Sequence, residues 1–248
     1  MKAREADDLG RQIAGLVHTD QIDLAYAHLA PILTERTPFI MLDRIGTALA
    51  VVPLPALNNF LAHIAATKSI GGWPVIGAAL WSHFERDPAA VFECCQVFIT
   101  QADVWYGTDI LGERIIGPAL VADFPRALNL LTPWRDHPNR WVRRAIGVGA
   151  HVWAKRARGA SQHLAQAEAL LAFLEPLFEE ANTDTIKGIG WGLKTLGRFY
   201  PELATEWLVK QRQQQRRCRA LMLRKALTYL SPAQRACIID FQKGFRRD

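Results

Sequence analysis

The sequence predicts an all-α protein, a right-handed superhelical stack of HEAT-like antiparallel helix pairs, and three observations predict it. Apolar residues recur at helical spacing along most of the chain. The thirteen prolines fall mostly between apolar segments (Pro31, Pro38, Pro74, Pro88, Pro118, Pro138, Pro176, Pro201 and Pro232), where a ring without an amide hydrogen ends or opens a helix. Strand alternation is nowhere sustained; residues 39–52 and 96–100 hold β-branched side chains without the period of two. The segments between prolines run about 12 to 20 residues, an ordinary helix length. Pairs of them match the roughly 40-residue period of HEAT-class arrays, and about six pairs would fill the chain. No Gly/Ser-rich linker interrupts it, so residues 1–248 read as a single domain.

Taken in order, the opening MKAREADDLG has no apolar h-region, so no signal peptide is expected. Residues 45–84 contain only Lys68 as a charge. Pro53, Pro55, the Gly71 and Gly72 pair and Pro74 break that stretch, which predicts buried short helices in place of a membrane span. Cys94 and Cys95 are adjacent, Cys218 and Cys237 stand alone, and no C-x-x-C occurs. Zinc, redox and disulfide frameworks are therefore not indicated. With 50% hydrophobic residues the chain can bury a substantial core. A reduced, cytoplasmic protein without cofactor, metal or membrane attachment is expected.

In residues 102–117, ADVWYGTDILGERIIG, Trp105 and Asp109 lie one turn apart and share a helix face. Val104, Leu111 and Ile115 are the core positions to one side. Alone, W-x-x-x-D more commonly reports a packed tryptophan beside a capping or salt-bridging aspartate. Residues 140–156, RWVRRAIGVGAHVWAKR, read as a helix opened by Asp136 and Pro138. Trp141, Val142, Ala145, Ile146, Val148, Val152 and Trp153 make one broad apolar face. Arg140, Arg144, His151 and Lys155 form a line on the other, with Arg143 beside it. No acid lies within the segment to balance these cations, and like charges at i, i+4 destabilise a helix. A solvated face would look similar, but an uncompensated stripe favours a polyanionic partner. In residues 185–200, Ile186, Ile189, Leu193, Leu196 and Tyr200 form the buried stripe. Lys187, Trp191, Lys194 and Arg198 oppose it, with Trp191 roughly 170° from the stripe centre. Such a tryptophan either packs against another layer and covers lysine stems or offers an aromatic surface to a nucleotide. Gly188, Gly190 and Gly192 would let another backbone or a ligand approach closely.

The net charge of +6 is unevenly placed: residues 134–158 carry +6 and residues 210–248 carry +9, leaving −9 for the remainder. Positive charge gathered this way suits a polyanion, nucleic acid above all, with an acidic lipid surface as the other class.

The strings VWYGTDILGERIIG, HPNRWVRRAIGVGAHVWAKR and IKGIGWGLKTLGRFYPELATEWL together resemble the AlkC/AlkD-type DNA alkylation repair family, glycosylases built from HEAT-like repeats. The resemblance spans roughly residues 73–208. It implies excision of positively charged N3- and N7-alkylpurines from double-stranded DNA in a concave basic cleft. By motif, Trp105 and Asp109 are similar to the family's first tryptophan and its aspartate. Trp191 matches the tryptophan of K-x-I-G-W, and Arg144, in W-V-R-R, the backbone-contacting arginine. The sequence departs from the family where Tyr106 and Gly107 follow Trp105, and no residue before Trp73 is carried over.

The implied chemistry needs few groups. An N3- or N7-alkylpurine already carries positive charge and leaves as a neutral base, so a general acid is dispensable. A carboxylate near the sugar can oppose the developing oxocarbenium and accept a proton from water; Asp109 is the candidate. The indole faces of Trp105 and Trp191 can hold cationic edges. Arg144, Arg140, Arg143, His151, Lys155, Lys187, Lys194 and Arg198 are the candidate DNA contacts. His151 would be a poor acid, because neighbouring cations disfavour its protonated form. The expected protein is a monomer associated with the nucleoid through DNA. Two other readings remain open at this point: a non-catalytic DNA- or RNA-binding module, and a protein–protein scaffold.

Overall fold

In the computed structural model, residues 1–244 are described, and every regular element among them is helical. Part of the basic C-terminal segment, including Arg246 and Arg247, lies outside the described residues. The stretches 39–52 and 96–100 with β-branched residues lie in helices or their ends, not in strands. The chain forms two compact units, residues 1–115 and a second that begins at Ile116.

The first unit contains α1 (Ala3–His18), α2 (Ile22–Thr34), α3 (Phe39–Ala48), α4 (Leu54–Ala66), α5 (Gly72–Trp81), α6 (Pro88–Ala102) and α7 (Trp105–Leu111). Helices α1, α3, α5 and α7 pack side by side in one layer, and α2, α4 and α6 in another. This order follows from short connections, which return each amphipathic helix against its predecessor. Leu42, Ile45, Leu57, Phe60, Leu61, Trp73 and Ile76 fill the space between layers, each almost wholly buried. Most apolar residues of the weakly charged 45–84 stretch are thus buried in short helices, as expected, with Val51 and Ile70 exposed. Pro31 departs from the proline reading: it lies inside α2, in the last turn, where its missing amide removes the helical donor to the Ala27 carbonyl.

Residues 102–117 are likewise not one helix. Asp103 adopts a left-handed φ of 48° and ends α6, Val104 is extended, and α7 starts at Trp105. A π-helical turn follows at Gly112–Ile116. Its Arg114 grips Asp43 of α3 with Nε at 2.6 Å and Nη2 at 3.1 Å. That bidentate, partly buried pair ties the end of the first unit to α3.

The second unit contains α8 (Gly117–Ala122), α9 (Phe124–Leu131), α10 (Arg140–Ala157), α11 (Leu164–Leu174), α12 (Thr183–Phe199), α13 (Pro201–Gln213), α14 (Ala220–Ala226) and α15 (Pro232–Gly244). Helices α8, α10, α12 and α14 form one succession of neighbours, with α11 and α13 behind them. The opening of α10 is corrected: Asn139, and not Asp136 or Pro138, is the cap, its Oδ1 accepting from the Trp141 amide at 2.8 Å. Asn182 caps α12 in the same way through Asp184 and Thr185.

The closest approach in this unit is between α10 and α12. A Cβ added at Gly147 would collide with the Gly188 backbone, and one at Gly192 would come within 2.8 Å of the Gly147 carbonyl oxygen. Helix-interior glycine costs about 1 kcal/mol relative to alanine, so these glycines are retained for backbone contact. Gly147→Ala would gain that propensity but overpack a rigid crossing, which typically costs 1–3 kcal/mol and more against backbone. We expect a net loss of about 2 kcal/mol by urea denaturation; a variant as stable as the parent would mean that the two backbones do not touch.

Candidate nucleic-acid interface

In the first unit, α7 presents Trp105 and Asp109. The eight tryptophans separate by burial. Trp73, Trp134, Trp141, Trp153 and Trp207 are buried, whereas Trp105 is 57% exposed. Trp105 stands at the first residue of α7, edge-on to Tyr106 with centroids 5.7 Å apart. The Tyr106 hydroxyl donates to the Lys68 carbonyl at 3.3 Å, and Gly107 lies against the Trp73 ring. Leu111 and Ile115 are in the core as expected, while Val104 is only half-buried. Asp109 is half-buried one turn beyond Trp105, on the same helix face.

In the second unit, the expected stripe of α12 is buried throughout, from Ile186 to Tyr200. The polar faces divide into two ends with different fates. At one end the expected line of unbalanced cations is overturned. Arg143 bonds Glu180 Oε2 at 2.7 Å and donates to the carbonyls of His137 and Pro138. Arg140 and Lys187 approach Asp184 at 3.5 and 3.8 Å. Arg144 is only 6% exposed; its Nη1 donates to the Asp184 carbonyl at 2.9 Å, and its guanidinium lies 5.9 Å from the Trp141 ring centroid. It does not stand in an open line with Arg140 and Lys155. The acids missing from residues 140–156 come from the start of α12 and the turn before it, about ten helical turns later in sequence. Burial raises the Glu180 carboxyl, but Arg143 and the amides of Asn182 and Ala181 outweigh it and hold the group below the usual range.

At the other end His151, Lys155, Arg158, Trp191, Lys194, Thr195, Arg198, Phe199 and Tyr229 line a cavity of about 340 Å³. Five residues singled out in the sequence therefore come together here: His151, Lys155, Trp191, Lys194 and Arg198. Among the described residues, no carboxylate pairs with Lys155, Lys194 or Arg198. Trp191 is half-buried and stacks on His151, centroids 3.9 Å apart and planes 23° from parallel. One face of Trp191 packs on the neighbouring helix through His151, as the packing reading expects, and the ring borders the cavity.

The hydrogen bonds fix the imidazole. Thr195 Oγ1 lies 3.0 Å from the Trp191 carbonyl oxygen and 2.7 Å from His151 Nδ1. Burial first, then Lys155 and Lys194, push the His151 pKa down to about 4. The sequence had named only the charges; desolvation is the larger cause.

Arg158, Thr195, Phe199 and Tyr229 were not singled out from sequence. Arg158 and Thr195 lie within or beside the segments already read. Tyr229 comes from the turn after α14, and its only sequence signal is an isolated tyrosine in an otherwise amphipathic stretch. Lys194 and Arg198 sit 5.1 and 5.3 Å from its ring centroid.

Cations beside aromatic faces in one hollow make a surface for a chain of phosphates and bases, and the fold carrying it is entirely helical among the described residues. Residues 75–230, more than half of the chain, match the family model described as DNA alkylation repair enzyme. The chain belongs to that family, which places it in DNA repair with DNA as its substrate. No curated protein and no solved structure matches. Among the described residues, no cluster of three or more His, Cys, Asp or Glu is placed to hold a metal ion. No described helix is long and apolar enough to cross a membrane.

The low His151 pKa has a consequence for stability. The unfolded imidazole takes a proton near 6.5 and the folded one only near 4. The unfolded state therefore binds more protons between those values. This contribution is present above pH 6.5 and is lost as pH falls toward 4. His151→Gln should remove it, so the stability gap between parent and variant should narrow from about pH 7 to about pH 4.5. A gap that does not change with pH would mean that His151 titrates like a solvated histidine.

Proposed function

We propose that this protein is a DNA glycosylase that hydrolyses the N-glycosidic bond of cationic N3- and N7-alkylpurines in duplex DNA, as the first step of base excision repair. The observation that carries this reading is the Trp191 cavity: cations and aromatic faces surround a histidine held neutral. Such a surface suits phosphates and an electron-poor base, yet His151 offers no proton to a leaving base near neutral pH. A base that already carries positive charge needs none.

In this reading Asp109 opposes the positive charge that develops on the sugar and accepts a proton from the attacking water. Trp105, the most exposed of the tryptophans described above, and Trp191 present indole faces to cationic edges. Lys155, Lys194 and Arg198 contact the phosphate backbone, with Arg140 and Lys187 as partly neutralised contributors. Arg143 and Arg144 act by holding the start of α12, given their bonds to Glu180 and the Asp184 carbonyl. The layered helix pairs within each unit support reading them as HEAT-like repeats. The right-handed superhelical stack, the monomeric state and a cytoplasmic, nucleoid-associated location belong to the same proposal.

A DNA-binding protein without base release is the second reading, and one observation favours it: no carboxylate lines the Trp191 cavity. The two readings separate in single-turnover assays on duplexes carrying N7-methylguanine, a bulkier N7 adduct or uracil at one position. The glycosylase should release both cationic bases and leave uracil in place. Release of uracil would overturn the leaving-group argument, and binding with no release of any base would favour the second reading. Asp109→Asn should retain duplex affinity and lose about 10² to 10³ in release rate, the usual effect of removing one electrostatic stabiliser. Release at the parental rate would take Asp109 out of the chemistry.

A further inference from the structure

Helix α12 has a cationic neighbour that neither the α10 nor the α12 motif contains. Helix α14 packs on α12, and the stem of Lys225 crosses Gly190, immediately before Trp191. A Cβ at Gly190 would come within 2.6 Å of Lys225 Cδ and 3.0 Å of its Cβ. Only glycine lets the lysine lie there, so the glycine before Trp191 is a seat for a cation from another helix. An apolar side chain would cover Gly190 as well; a lysine brings a charge to a place already positive.

That placement is costly without an anion. Lys225 is half-buried. Burial, and after it Lys194, Arg144, Arg224 and Lys187, push its pKa below the ordinary lysine value. Among the described residues no carboxylate pairs with Lys225, Lys194, Arg198 or Arg224. Four residues along from Lys225, Tyr229 is 47% exposed and has the cationic ends of Lys194 and Arg198 near its ring. The ring thus fixes two flexible cations at the cavity rim.

We propose that α14 and the turn after it complete a DNA phosphate site on the polar face of α12, in which Lys225 contacts a backbone phosphate and Tyr229 positions Lys194 and Arg198 for their own. The inference rests on reading this face as a DNA surface. Like charges forced together and partly desolvated gain most from an anion of compact charge, and a phosphate between Lys225 and Lys194 supplies it.

The test is the affinity of the full-length protein for an undamaged labelled duplex, titrated over a range of salt. Lys225→Met keeps an unbranched stem over Gly190 and removes the charge. It should weaken binding several-fold on any sequence and reduce the slope of log K against log[salt] by about 1. Tyr229→Leu keeps every cation, so it should lower affinity with little change in slope. Tyr229→Phe, which keeps the ring, should bind like the parent. Unchanged helical circular dichroism and melting temperature establish that the variants are folded. If Lys225→Met binds with parental affinity and slope while the parent binds steeply with salt, this proposal falls and the DNA reading stands. If Tyr229→Phe loses as much as Tyr229→Leu, the positioning role falls. If the parent shows no salt-dependent duplex binding, both the DNA reading and this site fall.

Discussion

The second unit depends on one contact, the passage of α10 over α12 at Gly147 and Gly188. Because no Cβ intervenes, the two backbones approach closely enough for side chains at both ends of the crossing to meet. Toward the start of α12, Glu180 and Asp184 come within reach of Arg143 and Arg140. Toward its end, His151 lies flat on Trp191 at 3.9 Å. A bulkier residue at the crossing would spread the helices and weaken the ion pairs and the ring stack together. The helix propensity lost at these glycines, about 1 kcal/mol each, is offset by contacts that no larger residue permits.

That crossing also sorts the charge. Cations near the start of α12 meet carboxylates or a backbone carbonyl and become part of the framework; Arg143, with a side chain 17% exposed, is the plainest case. Beyond the crossing no acid arrives among the described residues, and Lys155, Lys194 and Arg198 stand around aromatic rings. Two helices with similar cationic faces therefore yield one neutralised half and one open half. A polyanion would gain Coulomb energy only at the open half, because at the other it must compete with partners already desolvated in place.

The neutral imidazole inside a positive hollow links this electrostatic arrangement to chemistry. The Thr195 hydroxyl holds the ring through Nδ1, while burial and nearby ammonium groups keep it unprotonated. A group in that state can stack and accept a hydrogen bond, but it cannot supply a proton near neutrality. Membership of the DNA alkylation repair family and a histidine of this kind are mutually consistent, since alkylation itself can make a purine a good leaving group.

By itself the sequence determined the all-helical class, the buried stripe of α12, the placing of Trp191 with Lys194 and Arg198 on one face of that helix, and the placing of His151 with Lys155 on one face of α10. These follow from a period of 3.6 residues, which any chain carries in its own residue order. It also carried the family, through strings within helices whose faces can be read locally. It misplaced helix boundaries, at Pro31, at Asn139 and in the π turn at Gly112–Ile116, because one bond or one inserted residue decides them. The tertiary structure alone decided which cations were open. Glu180 and Asp184 lie far from Arg143 and Arg140 along the chain, and Lys225 and Tyr229 far from His151; no local pattern encodes a meeting across helices. Charge balance is set by distance in space, and distance in space is fixed only once α10, α12 and α14 have packed.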